Sequence, residues 1–222
     1  MSYTMMPMWQ QGENPHWATA NHAQVRVQRH NLLKRLGEWH DGCIGLSKGD
    51  HESETFAILE SYVILAGHWI KCISTRDEAA FNRDASAFSS ILARASRHVS
   101  HGIIGDGKDQ VAQNALVNFE LGWMSVLYWT TLKCRKPELR SQALSLLQRI
   151  PRQEGIWHCD RLTALAERVV EREAAGELFQ QVIAGPQYVE EGVVKFKGNF
   201  WLAETNHDVP VRVFSEILTI AR

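Results

Sequence analysis

The chain has 222 residues, of which 45% are hydrophobic and 22% charged, and its formal net charge is −1. This composition is typical of one large globular domain, and it lacks the basic excess with which a self-sufficient nucleic-acid-binding protein neutralises phosphates. The four cysteines include no CxxC pair, which argues against a structural zinc site and favours reduced thiols. We therefore expect an intracellular, cytoplasmic protein that needs no metal or cofactor and does not bind DNA directly.

Helices dominate the predicted structure. Residues 1–20 are aperiodic and are interpreted as an N-terminal tail, and a helical domain is predicted over residues 21–176. The spacing of apolar residues predicts about seven helices, which begin near His22, Ser53, Thr75, Asp109, Glu120, Pro137 and Asp160. The second helix is apolar nearly all round from Tyr62 to Trp69, which predicts a central position. That apolar run is too short to span a membrane.

The last part of the chain, residues 177–222, is predicted to be an extension with short strands packed on the helical domain. Residues 177–184 are assigned to one further short helix. Two apolar runs separated by Gly198-Asn199 predict a β-hairpin over residues 193–202. Residues 211–214 fit either a third strand or the start of a closing helix. The predicted fold class is thus mainly α, a helical array or bundle with a small β-hairpin-containing extension.

The stretch from Leu127 to Trp157 has the sequence LYWTTLKCRKPELRSQALSLLQRIPRQEGIW. It resembles the C-terminal helical regulatory region of fungal zinc-cluster transcription factors. The features that carry this resemblance are Lys133-Cys134-Arg135, Pro137, Arg140, Ala143, Leu146-Leu147 and the run from Pro151 to Trp157. The resemblance covers residues 119–175 and extends more loosely over residues 22–98. The chain departs from the family in two ways: the six-cysteine zinc cluster has no counterpart, and Met124-Ser125-Val126 stands where relatives tend to have prolines.

The first candidate site lies on the second helix. Glu60 and His68 are eight residues apart, hence on one face, and Trp69 is adjacent. A carboxylate and an imidazole in apolar surroundings can act as acid and base, because burial shifts their pKa values. In the alternative interpretation, Glu60 faces solvent and His68 is a hydrogen-bonded core residue.

A second candidate site would be an aromatic-walled pocket with a few polar groups, which is the usual form of a small-molecule site. Its residues are Asn114, Asn118, Glu120, Trp123, Tyr128 and Trp129. The alternative is ordinary core packing, with Asn118 capping a helix. The pair His98 and His101 with Asp106 has the composition of a metal site, but Gly102 interrupts the helix that such spacing requires, so no metal is expected. Arg152 and Glu154 are expected to form a structural ion pair.

Two functional hypotheses follow. The first is a stand-alone protein that handles a hydrophobic small molecule, foremost a cofactor-free cyclase or isomerase, including a pericyclic catalyst, in fungal secondary metabolism. Its proposed catalytic residues are Glu60, His68, Glu120 and Tyr128, and its proposed ligand-binding residues are Trp69, Asn114, Asn118, Trp123 and Trp129. The second is a non-enzymatic, nuclear paralogue of the transcription factors that acts through a protein partner, a homodimer or an effector. The expectation that the chain starts at its own Met1 favours the first hypothesis, and the resemblance favours the second.

Overall fold

The computed structural model describes residues 22–46, 53–72, 78–83, 85–101, 122–150, 153–154, 157–191, 193–202 and 212–220. The helices in these ranges are α1 (His22–Leu46), α2 (Glu54–Cys72), a 3-10 helix (Glu78–Asn82), α3 (Ala85–His101), α4 (Trp123–Lys133), α5 (Pro137–Leu147) and α6 (Cys159–Ala174). The strands are β1 (Gln153–Glu154), β2 (Trp157–His158), β3 (Phe179–Glu190), β4 (Val193–Leu202) and β5 (Val213–Thr219). Strands β1 and β2 form a two-stranded ribbon, and the others form an antiparallel sheet in the order β3-β4-β5.

The fold is mixed α/β, so the predicted fold class, a mainly α array or bundle of about seven helices with a small β-hairpin-containing extension, was wrong. The described residues are 67% helical and 22% in strands. Residues 177–184 were predicted to form a further short helix, but they include the start of β3. Phe179 and Val182 have a helical i, i+3 spacing, and both are buried within β3 because a register shift between Phe179 and Gln181 turns them toward the same face of the strand. The predicted fourth helix, near Asp109–Asn118, and the predicted tail lie outside the described residues.

The predicted hairpin turn at Gly198-Asn199 was also wrong, because β4 runs through it without a break. Gly198 pairs with Ala184 on one side and Glu216 on the other. A Cβ atom at Gly198 would lie 2.9 Å from Cε2 of Phe200 and 3.0 Å from Cδ2 of Leu165. The glycine is therefore needed for close packing rather than for a turn. The turn between β3 and β4 includes Glu191, which has a φ of 52°, and residues 213–219 form the third strand.

Helices and sheet share one hydrophobic core. Its largest fully buried side chains include Leu127, Leu147, Leu165, Phe196 and Phe200, which come from three helices and β4. Helix α4 is the most enclosed, with nine of its eleven residues buried, whereas α2 buries seven of nineteen. The sequence predicted α2 as the central helix, but the central helix is α4. None of the helices in the described ranges combines the length and the apolar character needed to cross a membrane.

Candidate functional site

Glu60 and His68 do not come together. The Glu60 carboxylate accepts a hydrogen bond from Nε of Arg94 at 2.9 Å, and Nε2 of His40 lies 3.6 Å from its other oxygen. The His68 ring is buried between Phe81 and Phe88, with ring centroids 5.5 and 5.0 Å away. Its Nε2 lies 3.1 Å from the carbonyl oxygen of Phe81. His68 is thus a hydrogen-bonded core residue, and Glu60 belongs to an ion pair that joins α2 to α3.

Three other candidates, Trp69, Tyr128 and Trp129, do meet, but inside packed structure. The Trp129 ring lies edge-on to Trp69 at 5.1 Å and 6.0 Å from the Tyr128 ring. The Tyr128 hydroxyl donates to the carbonyl oxygen of Val182 at 3.4 Å, and burial raises the pKa of this phenol. These rings therefore join α2, α4 and β3. Glu120, Asn114, Asn118 and Asp106 lie outside the described residues, as does the side chain of His101.

A shallow cleft lies where the end of α4 meets β3, and it leaves no enclosed room for a water-sized sphere. It is lined by Leu132, Lys133, Val169 and residues 179–182. Pockets that enclose small organic ligands typically have volumes of about 300 to 1,000 Å³. None of the six described candidate residues lines this cleft, so it does not correspond to the aromatic-walled pocket that the sequence suggested.

The most chemically distinctive group surrounds Glu154 at the start of α4. Gly122 is the N-cap residue of α4 and has no side chain with which to satisfy the free backbone N–H groups. The Glu154 carboxylate takes that role from the β1–β2 ribbon. Its Oε2 accepts the backbone N–H of Met124 at 2.9 Å, and the carboxylate also accepts the N–H of Trp123. Glu154 itself is only 7% exposed.

Further polar and aromatic groups lie beside this carboxylate. The hydroxyl groups of Tyr62 and Ser125 share a short hydrogen bond. Nε1 of Trp123 donates to the Glu54 carboxylate at 3.2 Å, and the His98 ring stacks on Trp123 at 6.2 Å. We call this group the α4 N-terminal cluster, and its members are Glu54, Tyr62, His98, Trp123, Ser125 and Glu154. Of the predicted ligand-binding residues that the structure describes, Trp123 is the one that belongs to it.

Electrostatics give the cluster a group that titrates near neutrality. Burial raises the pKa of Glu154 to about 7, and the neighbouring charge of Glu54 acts in the same direction. The two backbone N–H groups oppose this rise because they stabilise the charged form. Burial also raises the pKa of Tyr62, which keeps its hydroxyl protonated. At neutral pH the cluster therefore contains a carboxyl group that can either donate or accept a proton.

Glu154 was not predicted as a site residue because its partners lie 30 or more residues away in the chain. Its nearest charge in sequence is Arg152, which suggested only a local ion pair; Arg152 lies outside the described residues. The available signal was the position of Glu154 beside Gly155, between two helices and within the segment that carries the family resemblance. In comparison with known proteins, no family model, curated protein or solved structure matches this chain.

Proposed function

We propose that the protein is a non-enzymatic regulator that acts through protein partners, related to the helical regulatory region of fungal zinc-cluster transcription factors. The described residues that carry this resemblance lie where α4, α5 and the β1–β2 ribbon meet. Ala143, Leu146 and Leu147 are buried in α5 against the core. Arg140 donates from Nε to the carbonyl oxygen of Cys134 at 2.7 Å, and Glu154 caps α4. The described residues that carry the resemblance thus connect α4, α5 and the β1–β2 ribbon.

The observation that carries this proposal is the separation of the described catalytic candidates. Glu60 is paired with Arg94, His68 with the Phe81 carbonyl group, and Tyr128 with the Val182 carbonyl group. A catalytic site needs its reacting groups held together in one geometry. These three side chains instead stabilise three different contacts between elements. Their arrangement favours a scaffold that presents surfaces to partners.

The test is direct binding to defined partners. The purified chain would be titrated against a panel of recombinant full-length fungal zinc-cluster regulators by biolayer interferometry. We expect at least one complex with a Kd of about 1 μM or tighter, and no retardation of DNA by the chain alone. The proposal would be contradicted if the chain, shown to be folded by circular dichroism, binds none of the regulators of the panel.

A second candidate function is supported by the α4 N-terminal cluster. A carboxyl group with a pKa of about 7 beside the hydroxyls of Tyr62 and Ser125 has the composition of an acid–base site for a cofactor-free isomerase. Here Glu154, rather than Glu60 or His68, would move the proton.

This second function is tested by thermal-shift screening against polyketide and terpenoid intermediates, with turnover followed by mass spectrometry, because a ligand of the folded state raises the melting temperature. Isomerisation that is lost in Glu154→Gln but retained in Glu60→Gln would favour this enzyme over the regulator. If no compound of the panel is converted and the chain binds a zinc-cluster regulator, the first proposal is favoured.

A further inference from the structure

The two edges of the three-stranded sheet are built differently. Strand β3 contains Gly185-Pro186 within a register shift between Ala184 and Gln187. A bulge and a proline both discourage another strand from pairing, because they distort the edge and remove a backbone donor. Strand β5, with the sequence VFSEILT, contains neither feature and pairs with β4 in an unbroken register. Only the β3 edge is protected by these devices.

The hydrogen bonds at the two ends of β5 show which residues face outward along the edge. The Arg212 carbonyl oxygen accepts the N–H of Leu202, and the N–H of Ile220 donates to the carbonyl oxygen of Val194. Even-numbered residues of β5 therefore direct their backbone groups toward β4, and odd-numbered residues direct theirs away from the described sheet. These odd-numbered residues are Val213, Ser215, Ile217 and Thr219. The side chains of Val213 and Ile217 are 52% and 54% exposed.

We propose that β5 pairs with β5 of a second copy of this chain, antiparallel and about a two-fold axis at Glu216, to form a continuous six-stranded sheet. Odd-numbered residues must pair with odd-numbered residues, because only these have outward backbone groups. Centring the pair on Glu216 matches Val213 with Thr219 of the second copy and Ser215 with Ile217 of the second copy. No other centre pairs all four outward residues of each strand.

The charges around β5 are compatible with this register. On the exposed face of the sheet, the side chains along the seam would be those of Val213, Ser215, Ile217 and Thr219, none of which is charged. On the other side, the Glu216 carboxylate accepts hydrogen bonds from Nε and Nη2 of Arg168, at 2.7 and 3.0 Å, and from Arg172.

These hydrogen bonds hold the pKa of Glu216 below its usual range, so the group stays charged. Two such carboxylates facing each other would repel if they were bare. In the dimer each brings two arginines, so the repulsion is compensated. The charges around β5 therefore do not oppose pairing with a second copy.

The test is sedimentation velocity of the purified full-length chain at loadings from about 1 to 100 μM, a range that covers the Kd of a weak dimer. We expect the mass to rise from the 25.2 kDa monomer toward a dimer. Ile217→Lys, which places a cation at the seam, should raise the dimer Kd at least about tenfold. Ser215→Pro, which removes one outward N–H while leaving the β4 ladder intact, should weaken the dimer as well. Both variants are checked for folding by circular dichroism.

The matched control is Val189→Lys, because Val189 is 67% exposed and lies on the protected edge strand β3. This variant should dimerise like the wild type. A wild-type chain that stays monomeric at every loading would overturn the proposal, as would a dimer that Val189→Lys weakens as much as Ile217→Lys does. This test is independent of the proposed function. If the chain binds a zinc-cluster regulator but remains a monomer, only the pairing of β5 is refuted.

The register has its own test. Chains carrying Ser215→Cys and chains carrying Ile217→Cys would be mixed and oxidised, because paired residues of adjacent antiparallel strands lie about 5.5 Å apart at Cα, within reach of a disulfide. The mixture should give more cross-linked dimer than either variant alone. Equal cross-linking in all three samples would contradict a two-fold axis at Glu216.

Discussion

Glu154 combines burial with hydrogen bonds that favour its charged form, and burial is the stronger influence. The pKa of its carboxyl group rises from 4.5 to about 7. The folded state therefore holds this proton more tightly than the unfolded state does. The resulting contribution to stability is complete below about pH 4.5 and is lost as the pH rises toward about 7.

We expect the free energy of unfolding of the wild type to fall by about 2 to 3 kcal/mol between about pH 5 and pH 8 because of this group. Glutamine at position 154 remains neutral and can still accept the N–H of Met124, so Glu154→Gln should flatten this fall. The measurement is urea unfolding across the pH range. Glu171→Gln is the control, since Glu171 is an exposed residue of α6. A slope that Glu154→Gln leaves unchanged would assign the pH dependence to another group.

Gly122 depends on the same carboxylate. Its backbone is extended, with φ −122° and ψ −162°, so its conformation does not itself require glycine. A Cβ atom at this position would overlap the Glu154 carboxylate. We expect Gly122→Ala to cost about 1 to 3 kcal/mol of stability by overpacking.

A double-mutant cycle separates this steric effect from a general preference for glycine at the cap. In a Glu154→Ala background the carboxylate is gone, so Gly122→Ala should cost much less than it does in the wild type. The free energies of unfolding come from urea titrations of all four proteins. An equal cost in both backgrounds would show that the carboxylate is not what excludes the larger side chain.

Most described helices were predictable because their signals are local, although the third predicted helix is divided into the 3-10 helix (Glu78–Asn82) and α3 (Ala85–His101). Pro137 at the start of α5 and Gly176, with a φ of +95° just after α6, correspond to the sequence signals for a start and an end. The sheet was not predictable in the same way. Gly198 looked like a turn residue, yet its lack of a side chain is required by Phe200 and by Leu165, which lies 33 residues earlier. Local patterns cannot show contacts of that separation.

Helices α1 and α4 differ most in their surroundings. No residue of α1 between positions 24 and 45 is buried, and the helix packs mainly against α2. Trp39 and Leu32, which share one face of the helix, are 49% and 50% exposed. In contrast, α4 lies within the core. The apolar spacing of α1 therefore predicted that it is a helix, but it did not predict that so little of its surface is buried against other elements.

We expect backbone amides of α1 to exchange with solvent at least about 100-fold faster than those of α4, because α1 can open without disturbing the core. Hydrogen–deuterium exchange followed by mass spectrometry of peptides from the two helices measures this ratio. Helix α3, whose Phe88, Ile91 and Leu92 are each 1% exposed, serves as an internal reference with strong protection. Comparable protection of α1 and α4 would mean that α1 is covered by a further contact.

The candidate site was predictable only in part because the chemistry depends on contacts between distant segments. Trp123 was selected from its sequence neighbourhood and does belong to the α4 N-terminal cluster. Glu60 and His68 were selected from their spacing on one helix, but α3 supplies Arg94 to the first and the 3-10 helix supplies the Phe81 carbonyl group to the second. Helical periodicity gives the face of a residue and not the partner that the fold brings to it.

The shared core predicts that sheet and helices unfold in one transition. Phe200 is fully buried, stacks on Phe214 at 5.0 Å and belongs to the same cluster as Leu165 and Val169 of α6. We expect Phe200→Ala to cost about 3 to 5 kcal/mol and to lower the urea midpoint equally by far-UV circular dichroism, which follows the helices, and by tryptophan fluorescence. Val189→Ala, at an exposed position of β3, should leave both midpoints nearly unchanged. If the sheet were an independent unit, Phe200→Ala would separate the two transitions, because the helical signal would keep its wild-type midpoint while the environment of Trp201 changed.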